Sequence, residues 1–262
     1  MATKTNGTTA LAKPLDVQYM ALSNPEAFAN LQRTLAETMG DDLAPFDFDE
    51  VKIPSAGGLS WKVPTLEGNK PMEKVSGVLV YIQAAREYYS GKFTGQSQPP
   101  TCFSPDGRNG FGNPRGLCPG GLCRDCPFSQ WDSATDAEGN ATRGCACSER
   151  KHILLLPDDS LIPLFFNIPP TSVKAVEKYC LRIGGKGLDW TSVVTELGLE
   201  EAKSGGNITY SVATFAMVGA LPSEQAILSR QYADAMGALV RSRFIADAKR
   251  RVAEDASEAP AE

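Results

Sequence analysis

Residues 75–82 read Val-Ser-Gly-Val-Leu-Val-Tyr-Ile, a short apolar run rich in β-branched residues. Runs of this length and composition are typical of buried β-strands. Similar runs lie before and after it, at 51–53, 59–63, 152–156, 161–168, 189–197 and 207–218. The pattern predicts a chain dominated by strands.

Three segments have helical spacing instead. Asn24 and Pro25 suit an N-cap and a first helical position, and apolar residues then recur every three or four positions as far as Met39. Residues 171–183 have one apolar side, and Ser223 can cap a long final helix. The order of elements predicts a mixed α+β fold, mainly β, with a mixed sheet or small barrel rather than an α/β sandwich.

Composition restricts the class of protein. The chain has 262 residues, a net charge of −5 and a single histidine, His152. No apolar run approaches the roughly 20 residues that span a bilayer. The sequence has no HExxH, GxSxG or Walker motif. These observations predict a non-enzymatic, soluble, cytoplasmic protein that does not contact membranes.

Charge divides the chain into three parts. Residues 1–50 carry three basic and eight acidic side chains. Residues 51–186 carry sixteen basic and twelve acidic side chains, and residues 187–262 carry seven basic and eleven acidic side chains. A basic middle between acidic ends favours a polyanionic partner. We expect a flexible arm and an acidic amphipathic helix over 1–50, a β core with a C-terminal helix over 51–248, and a disordered acidic tail over 249–262.

The core contains an insert at about 94–150, which lacks regular periodicity and holds six of the seven cysteines. Cys123 and Cys126 form a C-x-x-C turn, with Cys102 and Cys147 each 21 positions away. Four such thiolates can enclose a structural Zn²⁺, which would supply folding energy that this Gly- and Pro-rich segment lacks. The spacing also allows Cys118 to replace Cys102, or Cys145 to replace Cys147.

Other cysteine chemistry is open. Cys118, Cys123 and Cys126 have the spacing of a plant-type two-iron cluster. Disulfides are disfavoured by the odd cysteine number and the lack of an export signal, and free thiols are a further alternative. Cys180 falls on the apolar side of its helix and is interpreted as a core thiol.

Cations and aromatic rings alternate around the insert, a pattern typical of proteins that bind single-stranded nucleic acid. We expect contacts to DNA from Arg86, Tyr88, Tyr89, Lys92 and Phe93. A groove would be lined by Arg108, Arg115, Arg150 and Lys151. Arg124 and Arg143 also lie in the insert. Its rings Phe128 and Trp131 are interpreted as packing over the metal site.

These motifs together resemble the single-stranded DNA-binding proteins of tailed phages. The resemblance rests on residues 99–102 (PPTC), 104–107 (SPDG), 123–127 (CRDCP) and 147–150 (CSER), with the acidic C-terminus. It implies an OB-type fold, a structural zinc and coating of exposed strands during replication. Unlike the zinc-bearing members, this site has only cysteines, and the tail lacks a terminal aromatic residue.

The sequence thus predicts a sequence-independent single-stranded DNA-binding protein with an OB-like barrel, acting in phage DNA replication or recombination. Its acidic tail would cover the DNA groove or contact replication proteins. Two alternatives are an iron–sulfur redox or sensor protein, and a zinc-ribbon adaptor that binds a polymerase or host protein.

Overall fold

The computed structural model describes residues 15–39, 48–54, 56–91, 100–112, 118, 120–136, 139–204 and 207–258. Over these residues the prediction of a mixed α+β fold, mainly β, is confirmed. The helices are α1 (Met20–Ser23), α2 (Pro25–Met39), α3 (Pro170–Gly184) and α4 (Ser223–Glu258). None of the described helices is both long and apolar enough to cross a bilayer.

The strands are β1 (Trp61–Thr65), β2 (Gly68–Met72), β3 (Val75–Tyr88), β4 (Cys102–Ser104), β5 (Asn109–Gly112), β6 (Gly120–Leu122), β7 (Ala134–Thr135), β8 (Ala141–Thr142), β9 (Ser148–Leu156), β10 (Leu164–Ile168), β11 (Val193–Lys203) and β12 (Thr209–Ala220). Outside the insert, the predicted run at 75–82 and five of the runs before and after it overlap observed strands, whereas β2 is not among the predicted runs and the run at 51–53 forms no strand. Residues 51–53 extend the edge of β10 through a bond from the Val51 N–H to the Phe165 carbonyl, without forming a strand.

Strand β3 organises the main sheet, in which all strand pairs are antiparallel. One of its edges pairs with β9, which in turn pairs with β10. Its other edge pairs with β11 near the start and with β4 near the end. Gly77 permits the close approach of β3 and β9, because a Cβ there would lie 2.4 Å from the Leu156 carbonyl oxygen.

The prediction of an OB-like barrel, which the resemblance implies, is wrong. Two branches leave the same edge of β3: β11 with β12 from its first half, and β4, β5 and β6 from its second half. The sheet therefore forks. Among the described residues no ladder joins β10 to β12 or to β6, and β1 with β2 forms a separate hairpin.

Both faces of the main sheet are covered. On one face α4 and α1 pack over β3, with Leu22, Val80 and Met236 fully or almost fully buried. On the other face α3 and β1 pack over the main sheet, α3 against β12 and β9, in a core that contains Trp61 and Phe166. The rings of Trp61 and Phe166 meet edge to face at 5.4 Å. The sheet is thus the middle layer between two apolar cores.

The two ends of the chain are more ordered than their composition predicts. Residues 15–23, expected in a flexible arm, pack on the core through buried Tyr19 and through a bond from the Leu15 N–H to the Ala220 carbonyl. Helix α4 continues to Glu258, where a disordered tail is predicted from residue 249. Residues 1–14 and 259–262 lie outside the described residues.

Candidate metal centre and basic surface

The insert forms a small module between the end of β3 and the start of β9. We call its described residues from 100 to 147 the thiol module. Strands β4, β5 and β6 form its sheet, followed by 3₁₀ turns at Cys123–Asp125 and Pro127–Ser129 and by the β7–β8 hairpin. Because β4 pairs with the end of β3, the module is attached directly to the central strand.

Five cysteine thiols line one pocket in this module: Cys102, Cys118, Cys123, Cys126 and Cys147. The set contains all four predicted zinc ligands and adds Cys118, which hydrogen-bonds to Cys102 and Cys126. The free space between the thiols is about 10 Å³, close to the size of one water-sized sphere. The pocket therefore has room for one small ion.

The two remaining cysteines do not line this pocket. Cys145 lies two residues before Cys147 and is half-buried. Cys180 packs against the apolar core beneath α3, as its position on that helix predicts. Of the six cysteines in the insert, five thus converge on one pocket and Cys145 lies beside it. The spacing of the cysteines alone does not show which of them converge.

Glycines make the close approach of the thiols possible. A Cβ on Gly110 would lie 3.2 Å from the Cys102 sulfur and 3.7 Å from the Cys123 sulfur. A Cβ on Gly112 would lie only 2.0 Å from the Cys118 carbonyl oxygen. The Gly-rich composition of the insert follows from this crowding, since side chains at these positions would enter the pocket or its wall.

Hydrogen bonds fix the turn that presents two of the thiols. The Cys126 N–H donates to the Cys123 carbonyl at 3.3 Å, and the Ser129 hydroxyl donates to the Cys126 carbonyl at 2.9 Å. The Cys147 N–H donates to the Phe128 carbonyl at 2.7 Å. These bonds hold the C-x-x-C turn and the start of β9 at the same pocket.

Burial makes ionisation of the thiols unfavourable. It raises the pKa of Cys102 well above its ordinary range and that of Cys147 to about 11. Burial also raises the pKa of Cys118 and Cys123, and the Arg86 guanidinium opposes this shift at Cys123 and Cys147. Adjacent thiolates in such a site need a cation to offset their charge.

The described part of the chain contains no set of three or more His, Cys, Asp or Glu side chains with the spacing of a metal-binding group. The five thiols share a pocket, with Cys118 bonded to Cys102 and Cys126, without meeting that spacing. A metal ion at these cysteines is therefore a proposal.

Tyr88 lines the thiol pocket, and Phe128 packs against Tyr88 and the buried cysteines. Their rings are stacked, with centroids 4.2 Å apart and planes at 20°. Tyr88 is only 8% exposed and packs against the buried cysteines. Phe128 thus packs as predicted, whereas Tyr88, expected to contact DNA, lies in the interior of the module.

Several predicted DNA contacts are already paired with acids. Arg150 pairs with Glu87 at 2.6 Å, and Lys151 pairs with Glu177 at 2.9 Å and with Glu149 at 3.1 Å. These two cations are mostly buried. Their positions on β9 favour a role in joining the sheet to its neighbours rather than in binding phosphate.

The remaining predicted contacts divide into three groups. Arg86 is partly buried, 3.9 Å from Glu149. Tyr89 is 43% exposed and donates its hydroxyl to Glu87 at 3.2 Å, and Arg108 is exposed. The other three predicted contacts lie outside the described residues: Lys92, Phe93 and Arg115.

A different exposed group lies on the thiol module. Trp131, which the sequence places over the metal site, is 69% exposed. Its neighbour Gln130 donates to the Arg124 carbonyl at 2.8 Å, and the Ala134 N–H donates to the Gly144 carbonyl, next to Arg143. Arg124 and Arg143 are both exposed. Arg124 pairs with its neighbour Asp125 at 3.4 Å, but both side chains are largely exposed. The module thus presents an indole between two segments that each carry an exposed guanidinium.

Comparisons of the chain with protein-family models, with curated proteins and with solved structures find no match.

Proposed function

We propose that this protein binds single-stranded DNA without sequence preference, through a surface on the thiol module. The observation that carries the proposal is the exposed Trp131. Its neighbour Gln130 is bonded through its side-chain amide to the Arg124 carbonyl, and the nearby Ala134 N–H is bonded to the Gly144 carbonyl, next to Arg143. An exposed indole can stack on an unpaired base, worth about 1–3 kcal/mol, while guanidinium groups neutralise adjacent phosphates. Tyr89 and Arg108 are the predicted contacts that remain exposed on the described surface.

We propose that a structural Zn²⁺ holds this surface in shape. Its ligands would be Cys102, Cys123, Cys126 and Cys147, with Cys118 beside them as a hydrogen-bonded thiol. Support comes from the shared pocket, in which these cysteines converge, and from the preference of Zn²⁺ for four thiolate ligands. The zinc would stabilise a module that otherwise buries little apolar surface.

A two-iron cluster is the second candidate for the pocket. It is favoured by the fact that Cys118, Cys123 and Cys126 all line the pocket. The two candidates differ in a simple observable. A colourless protein with one zinc per chain supports the first, and a brown protein with visible absorption supports the second.

The proposed setting is the cytoplasm, where thiols stay reduced. There the protein would coat strands exposed during phage DNA replication or recombination, as the resemblance to phage proteins implies. The acidic C-terminal residues would contact replication proteins or cover the DNA-binding surface. An adaptor function, in which Trp131 and the half-exposed Leu122 contact a protein instead, is the alternative outcome of the test.

The test is fluorescence anisotropy of a labelled mixed-sequence single strand, at about 50 and about 200 mM salt, beside a duplex of the same sequence. We expect binding that weakens with salt and exceeds binding to the duplex. Trp131→Ala should weaken it about tenfold. Trp190→Ala is the matched control, because Trp190 is also exposed but lies beside α4. No binding of the single strand at low salt would refute the proposal.

A further inference from the structure

A polar groove lies on the face of the main sheet covered by α4. It has a volume of about 250 Å³ and is lined by Tyr81 and Gln83 of β3, by Asp106 and Arg108 from the β4–β5 turn, and by Arg241 of α4. One liquid water takes about 30 Å³, so the groove can hold a phosphate-sized group with several waters. It is separate from the thiol pocket.

A β-bulge directs Tyr81 toward this groove. The register between β3 and β9 shifts between Leu79 and Tyr81, so that Val80 and Tyr81 both belong to the core beneath α4. Tyr81 is 5% exposed, and its hydroxyl has no hydrogen-bond partner among the described residues. A buried unpaired hydroxyl costs about 1–3 kcal/mol, which a ligand in the groove would offset.

The Tyr81 hydroxyl remains protonated near neutral pH. Burial raises its pKa above the ordinary value, and the nearby Arg241 only partly opposes this shift. It can therefore donate a hydrogen bond to an anion. A phenylalanine ring would fill the same space at this position, so packing alone does not explain the presence of the hydroxyl.

Two arginines approach the groove from opposite sides. Arg108 is exposed, and its backbone is fixed because its N–H donates to Asp106 at 2.8 Å. The Arg241 guanidinium lies over Gly237, where a Cβ would be 3.3 Å from it. Within the described part of the chain neither arginine forms an ion pair. Both guanidinium groups are available to an anion.

Among the residues whose side chains the structure describes, Asp106 is the one acid that lines the groove, and its carboxylate is already occupied. It accepts bonds from the backbone N–H groups of Arg108 and Asn109, from the Asn109 amide and from the Ser104 hydroxyl. Burial alone would raise its pKa, but these bonds together lower it. Asp106 therefore shapes the turn and leaves two positive charges against one negative charge.

We infer that the groove is a phosphate subsite, in which Arg108, Arg241 and the Tyr81 hydroxyl together hold one phosphate group. The inference rests on the proposed function for the source of that group, a strand passing from the thiol module to α4. Inorganic phosphate has the same chemistry and is the other source that an experiment must separate.

The experiment compares Tyr81→Phe and Arg241→Ala with two matched controls, Tyr179→Phe and Arg230→Ala. Tyr179 has a buried hydroxyl on the opposite face, bonded to Thr195, and Arg230 lies on α4 but pairs with Asp189. Anisotropy with the single-stranded oligonucleotide measures binding of a phosphate group that belongs to DNA. Thermal unfolding with and without inorganic phosphate measures binding of free phosphate.

We expect Arg241→Ala to weaken oligonucleotide binding about tenfold and to flatten its log–log salt slope by about 0.7. Tyr81→Phe should weaken binding about threefold at an unchanged or higher melting temperature. If wild type binds the oligonucleotide and both variants bind equally well, the subsite is refuted while the proposed function stands. Suppose that the wild-type protein does not bind the oligonucleotide, and that inorganic phosphate raises the melting temperature of the wild type but not of the two variants. The subsite is then supported and the proposed function fails. If neither probe has any effect, both are refuted.

Discussion

The backbone N–H of Cys123 donates a 2.8 Å hydrogen bond to the carbonyl oxygen of Arg108. Together with the β5–β6 ladder, in which Asn109 pairs with Leu122, this bond joins the thiol pocket to the phosphate groove. Any displacement of the C-x-x-C turn also moves the turn that carries Arg108. Metal binding at the thiols and anion binding in the groove should consequently be linked.

Loss of the metal should weaken DNA binding. We expect one zinc per chain by elemental analysis, and we expect Cys123→Ser to lose it because a closed site needs all four ligands. The backbone N–H that bonds to Arg108 remains in the variant, but loss of the metal frees the turn that positions Arg108, so the variant should bind the single strand at least tenfold more weakly. Cys145→Ser is the control, because that thiol lies outside the pocket, and it should keep both zinc and binding. If the Cys123→Ser protein lacks zinc and still binds the single strand as tightly as wild type, metal binding and DNA binding are not linked.

Gly110→Ala should lower the affinity of the thiols for metal. The added Cβ would lie 3.2 Å from the Cys102 sulfur and would displace it. A competition assay with a chromogenic zinc chelator measures the effect, for which we expect faster release. Gly184→Ala is the matched control, because a Cβ there meets nothing within 4 Å. Equal release from the two variants would argue against zinc between these sulfurs.

The adjacent tyrosines Tyr88 and Tyr89 should behave in opposite ways. Tyr88→Ala removes a buried ring that stacks on Phe128, and we expect it to destabilise the fold by about 3 kcal/mol. Tyr89→Ala changes an exposed ring, so its effect on stability should stay within about 0.5 kcal/mol while DNA binding falls. Chemical denaturation and anisotropy on both variants test this. A stable Tyr88→Ala protein that binds DNA poorly would restore the role that the sequence predicts for Tyr88.

How far the sequence predicts this molecule can be seen from particular elements. Helix α3 and strands β3 and β9 follow from periodicity and β-branched runs, because each buries apolar residues in a regular pattern. The fork at β3 does not follow, since strand pairing depends on contacts far apart in sequence. Residue type alone does not say whether Tyr88 or Trp131 faces inward.

The candidate sites were predictable to different degrees. Cysteine spacing predicts a four-thiolate site around Cys123 and Cys126, but it leaves open the choice between Cys102 and Cys118 and between Cys145 and Cys147. Arg241 could not be associated with Arg108, because α4 reaches the groove only through the fold of the main sheet. The unpaired hydroxyl of Tyr81 depends on a β-bulge, for which the sequence carries no clear signal.

His152 should make stability depend on pH. Burial first, and Arg150 second, lowers its pKa from 6.5 to about 4. Between these values the unfolded chain binds a proton that the folded chain does not, so stability falls as the pH drops from 6.5 toward 4, by up to about 1.4 kcal/mol per pH unit. Urea unfolding at several pH values should show a smaller acid loss in His152→Gln. As the only histidine, its imidazole gives a single NMR titration, and a midpoint near 6.5 would contradict this prediction.

The pairing of β3 with β9 spans the whole thiol module, from Tyr88 to Ser148. During folding these two strands must find each other across a long Gly-rich loop, and the entropy of closing such a loop slows the search. A zinc ion that joins Cys102 to Cys147 would shorten that loop before the sheet forms. The order of events at biosynthesis would then matter: zinc present while the chain emerges would hasten formation of the central sheet, and zinc added afterwards could only stabilise a sheet that had formed slowly.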